Sequence, residues 1–84
     1  MVKPAKLYER LIAGSAGTIS FRDFAKLLEA FGFEHRRTSG SHRIYRHRVV
    51  PARLVIQPKG GDANSYQVDQ FLALVQKYQL QSDA

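Results

Sequence analysis

The chain has 84 residues, 44% of them hydrophobic and 24% charged, with no cysteine and a formal net charge of +6. A length of this order holds one small domain around one core, and such a chain buries only about 60–65% of the surface its unfolded form exposes. The composition excludes a disulfide scaffold, thiol catalysis and any cysteine-based zinc finger. No apolar run approaches a membrane span or a signal-peptide core, so the expected location is the cytoplasm with no membrane partner.

Taken in chain order, Pro4 suits the first turn of a helix, where its missing N–H goes unneeded, and Leu7, Tyr8, Leu11 and Ile12 recur behind it at helical spacing. Gly14 closes this segment and the stretch to Gly17 reads as a turn. Ser20 with Asp23 three residues on has the form of a helix start, followed by the apolar stripe Phe21, Phe24, Leu27, Leu28 and Phe31. Gly32 fits the left-handed position that ends a helix, and Phe33 can fold back on the last turn. Beyond it the periodicity changes. Phe33 to Thr38 and His42 to His47 read as strands around a tight Ser39-Gly40-Ser41 turn, and Arg53 to Gln57 as a third strand. Ile44 and Tyr45 put one large apolar residue on each side of the second strand, which leaves its buried face undecided. Pro58 to Asn64 reads as a loop, and Asn64 or Ser65 caps a last helix with the stripe Val68, Phe71, Leu72, Val75 and Tyr78. The order α-α-β-β-β-α predicts an α+β fold, with helices on one face of a three-stranded antiparallel sheet and the other face free.

The charge is unevenly distributed. Between Glu34 and Lys59 lie seven basic residues and one acid, while the rest of the chain is balanced. Six of the seven are Arg, whose planar fork matches phosphate oxygens and stacks on bases, so a nucleic-acid partner is expected. The plainer reading is a solvated strand surface that discourages edge-to-edge pairing. All three histidines, His35, His42 and His47, fall in the same segment. Their spacing resembles no zinc-ligand pattern, and the acids suggest no two-metal site, so neither metal nor cofactor is expected.

The segment Ser39 to Tyr45 can carry chemistry. Gly40 allows a sharp turn, Ser41 offers a hydroxyl and an amide to an anion, and His42 opens a strand in solvent. An imidazole takes or gives a proton near neutral pH. Set beside guanidinium groups, it suits RNA hydrolysis, in which a base removes the 2′-OH proton and arginine steadies the pentavalent phosphorus. Residue type alone equally allows His42 to be a turn-flanking polar residue or a phosphate contact. The expected contacts to RNA phosphates are Arg36, Arg37, Gly40, Ser41, Arg43, Arg46 and Lys59. The choice between Arg43 and Arg37 for the scissile phosphate stays open. The first two helices can pass for a helix-turn-helix, but the second carries only Arg22 and Lys26 as cations and much Phe on its surface.

Leu27 to Phe33 (Leu-Leu-Glu-Ala-Phe-Gly-Phe), then Arg36-Arg37, then Gly40 to Tyr45 (Gly-Ser-His-Arg-Ile-Tyr) resemble the HicA toxin family. These are small mRNA-cleaving toxins, or mRNA interferases, of type II toxin–antitoxin modules. The likeness continues through His47 and Leu54 to Pro58 and spans residues 20–80, so residues 1–17 would be an added N-terminal helix and turn on a single domain. The resemblance implies a core similar to a double-stranded-RNA-binding domain, α-β-β-β-α, and His42 as the catalytic histidine of a metal-independent endoribonuclease. It further implies a HicB-type antitoxin that covers the active site, with operator DNA bound only through the complex. Many members open the last helix with Gly-Thr, where this chain has Ser65-Tyr66.

Two other readings compete. One is a non-catalytic RNA-binding module on the same fold. Against it stands the missing lysine cluster at the start of the last helix, a helix whose only cation is Lys77. The other is a protein-interaction domain whose basic face meets an acidic partner.

Overall fold

The computed structural model describes residues 3–14 and 17–82, and its elements follow the predicted order with one addition. Helix α1 (Pro4–Ile12) is followed by α2 (Phe21–Ala30), strands β1 (Glu34–Ser39), β2 (His42–Arg46) and β3 (Leu54–Ile56), a small hairpin β4 (Pro58–Lys59) and β5 (Asp62–Ala63), and α3 (Ser65–Tyr78). The hairpin replaces the loop expected over Pro58 to Asn64. Its cause is Gly60-Gly61, both at positive φ (+60° and +86°), the backbone that a two-residue primed turn demands. Part of the turn expected between Gly14 and Gly17 lies outside the described residues.

Helix α2 is closed at both ends by its flanking residues. The Ser20 hydroxyl accepts from the Asp23 amide at 3.1 Å, satisfying a donor that the helix itself leaves unpaired. At the other end Phe33 N–H donates to the Leu28 carbonyl and Gly32 N–H to that of Glu29, both at 3.0 Å, with Gly32 at φ +91°. This is a Schellman closure, and its apolar partners Leu28 and Phe33 both enter the core. Helix α3 starts where Asn64 Oδ1 accepts from the Tyr66 amide at 3.0 Å.

The sheet order is β1-β2-β3, antiparallel throughout. Tyr45 pairs with Leu54 and Arg43 with Ile56, whereas Ile44 pairs with Val55. Tyr45, Leu54 and Ile56 are buried together with Phe24, Leu27, Leu28 and Phe31 of the α2 region and Val68, Phe71 and Val75 of α3. Ile44 and Val55 are only half-buried. The ambiguity of β2 is thereby resolved: its Tyr45 side meets the helices and its Ile44 side is the free face. Phe71 stands at the centre, edge-on to Phe24, Phe31 and Phe33. Full burial of each such side chain contributes roughly 1.5–3 kcal/mol, which is how so short a chain holds together. Helix α1 packs outside α2, with Tyr8 against Phe31 at 4.9 Å between ring centres. Leu7 is buried, but Ile12, expected in the stripe, is 52% exposed.

Candidate nucleic-acid interface

The turn that carries His42 is a two-residue hairpin. Ser39 pairs with His42 across it, and Gly40 takes φ +61°, a conformation open to glycine at little cost. Because β2 reads Arg43 and Tyr45 toward the helices, His42, Ile44 and Arg46 stand on the free face by strand alternation. On β1 the register adds Arg37 opposite Ile44, Ser39 opposite His42 and Glu34 opposite Arg46. His42 is exposed, and among the described residues its ring makes no hydrogen bond, ion pair or ring contact.

The other two histidines are occupied. A bulge at Arg36 lets His35 share the helix side with Tyr45, where the rings lie 5.2 Å apart and His35 Nε2 bonds Thr38 Oγ1 at 2.9 Å. His47, expected within the second strand as a surface or phosphate-contacting residue, follows the strand and is half-buried. Its Nδ1 accepts from the Val49 amide at 3.0 Å, so Nε2 carries the proton and donates to the Phe31 carbonyl, also at 3.0 Å. The ring also lies edge-on to Phe33, 5.0 Å between centres. His47 thus ties the end of α2 to the loop after β2. Sequence reasoning missed this clamp because its two halves are 16 residues apart and share no motif.

The expected phosphate contacts divide between several places. Arg37, Gly40, Ser41 and Arg46 lie on or beside the free face with His42. Arg43 does not: its guanidinium stacks over the half-buried Phe21 ring, 5.0 Å from the ring centre, on the helix side of the sheet. Arg36, at the bulge, forms a solvent-screened pair with Glu34 at 3.7 Å. It lines an open polar groove of about 340 Å³ with Arg46, His47 and Arg48. Lys59 sits on the β4–β5 hairpin opposite Asp62, and that hairpin is fastened to the start of α2 by the Phe21 N–H to Gly61 carbonyl bond at 3.0 Å. An apolar cleft of about 260 Å³ beside α1 and α3, lined by Leu11, Ile19, Val68 and Leu72, does not include His42.

The open face can therefore offer one unengaged imidazole with guanidinium groups along the same surface, in a solvent-accessible setting suited to a polyanion. No Phe or Tyr side chain of the three strands stands there, so the face is chemically better suited to a phosphate backbone than to stacking bases. Among the described residues, no group of three or more His, Asp or Glu side chains is placed to hold a metal ion, and no helix is long and apolar enough to cross a membrane.

A family model described as the HicA toxin of bacterial toxin–antitoxin systems matches residues 21–76, from the start of α2 to near the end of α3. The match takes in two-thirds of the chain, including the entire sheet, and leaves α1 outside. No curated protein and no solved structure gives a significant match.

Proposed function

The chain belongs to the HicA toxin family, toxins of toxin–antitoxin modules, and from that premise we propose that it is an endoribonuclease that cleaves mRNA through His42 without a metal ion. The observation that supports this most is the state of the three histidines. Two have their rings engaged by the fold, and the one in Gly40-Ser41-His42 is left free on the open, basic side of the sheet.

In the proposed reaction an RNA strand lies on the free face with one phosphate beside His42. The neutral imidazole takes the proton of the adjacent 2′-OH, and that oxygen attacks phosphorus. The bond to the 5′-oxygen of the next nucleotide breaks, and this oxygen takes up a proton as it leaves. The products are a 2′,3′-cyclic phosphate and a 5′-hydroxyl. Guanidinium groups stabilise the charge that builds on the non-bridging oxygens, a contribution that is large where donors are already in place. DNA is not a substrate, since it lacks the 2′-OH. A HicB-type antitoxin would cover the same face and silence the enzyme, its acidic groups meeting the arginines, and operator DNA would be bound only by that complex.

The test is cleavage of total RNA in EDTA by wild type and His42→Ala. Cleavage by wild type alone, leaving cyclic phosphate ends, is the expected result. Salt-sensitive binding without cleavage would favour a binding module, and equal cleavage by both proteins would remove His42 from the reaction.

A further inference from the structure

The two arginines that chemistry alone leaves as rivals for the scissile phosphate are separated by the sheet. Arg43 follows His42 in sequence, and for that reason its side chain leaves the opposite face. Its guanidinium is held over Phe21, among the residues that join α2 to the sheet. Arg37 is five residues away in sequence yet shares the face. It pairs directly with Ile44, which makes it the diagonal neighbour of His42 on one side and of Arg46 on the other. Diagonal positions in an antiparallel pair lie about 7–8 Å apart, a gap that a long side chain spans. Arg37 is exposed, and among the described residues its guanidinium has no hydrogen-bond, ion-pair or ring partner, so nothing must be broken before it meets an anion.

Resting on the ribonuclease reading above, we propose that Arg37, and not Arg43, is the guanidinium that meets the phosphate at His42. It would hold the two non-bridging oxygens in a bidentate fork while His42 works on the 2′-OH at the same phosphate. Arg46 would receive the strand further along the face, about 13 Å from His42 along β2. The competing account makes Arg37 an edge-strand charge whose task is to keep β1 from pairing with other chains. In that case its removal would leave RNA handling untouched.

The experiment compares Arg37→Gln and Arg43→Gln, with Arg43→Met as a second variant that keeps the stem packed on Phe21. Two readouts are used: cleavage rate at saturating RNA, and salt-dependent binding of a 2′-O-methyl RNA, which cannot undergo the reaction. Arg37→Gln is expected to lower the cleavage rate about 100-fold. It should weaken binding about tenfold and reduce the log–log salt slope by about 0.7, the loss of one phosphate contact on a single strand. The Arg43 variants should keep the wild-type slope and nearly the wild-type rate. If wild type cleaves nothing, the ribonuclease reading falls, while the difference in slope between the Arg37 and Arg43 variants still decides which one meets phosphate. An unchanged slope for Arg37→Gln, an equal loss for both positions, or no salt-dependent binding at all would overturn the proposal.

Discussion

One histidine opens β2 and another directly follows it, and the fold treats them in opposite ways. At the first end His42 leaves a Gly-Ser turn on the uncovered face with its ring in solvent. Just past the other end His47 has both nitrogens bonded, to Val49 and to Phe31, and its ring lies against Phe33. The first geometry leaves a proton acceptor available, and the second spends the same side chain on holding α2 to the sheet. A histidine in a basic segment is thus informative about chemistry only once its partners are known.

The sharpest way to break this comparison is to remove each ring. His42→Ala should lower RNA cleavage by at least about 10²-fold, up to about 10⁴-fold, while thermal stability stays within about 0.5 kcal/mol of wild type. A large loss of stability would mean that the ring is structural after all.

Gly32→Ala comes next, because a Cβ there would stand 2.8 Å from His47 Nε2 on a backbone at φ +91°. A loss of about 1–3 kcal/mol in denaturant unfolding is expected, with cleavage per folded molecule unchanged. His47→Ala should cost about 1–2 kcal/mol, since it removes two hydrogen bonds and leaves the Phe31 carbonyl and Val49 amide seeking water. In the double variant the clash is gone, so the combined loss should fall short of the sum by about 0.5 kcal/mol or more. Strict additivity would show that the two residues do not touch in solution.

The smallest effect is expected at Tyr45. Its hydroxyl is buried without a hydrogen-bond partner, a state that costs free energy in the folded protein. Tyr45→Phe should leave stability unchanged or raise it by about 1 kcal/mol, with His35 still stacked on the ring. A clear loss would reveal a partner for that hydroxyl, such as a bound water.

Local chemistry was well written in the chain. The Ser20 cap, the Gly32-Phe33 closure, the Gly40 turn and the helix stripes rest on contacts within a few residues, and such contacts are legible from residue type and spacing. The exposed His42 beside a turn was legible for the same reason. The β4–β5 hairpin departs from the loop expected over Pro58 to Asn64, although adjacent glycines such as Gly60-Gly61 are one of the dipeptides that allow a primed turn.

The faces of the sheet were not. With Ile44 and Tyr45 each offering a large apolar group, period-two alternation allowed either side of β2 to be buried. Only the meeting of Tyr45, Leu54 and Ile56 with Phe24 and Phe71 settled which it was. From that one choice follow the company of His42, the separation of Arg37 from Arg43, and the withdrawal of His35 to the helix side with the help of a bulge at Arg36. The sequence by itself determined the helices, the three main strands, their order and the exposed turn before His42, because helices and turns are chosen by neighbours along the chain. Tertiary structure decided which side chains share a surface, because that depends on packing between residues far apart in sequence.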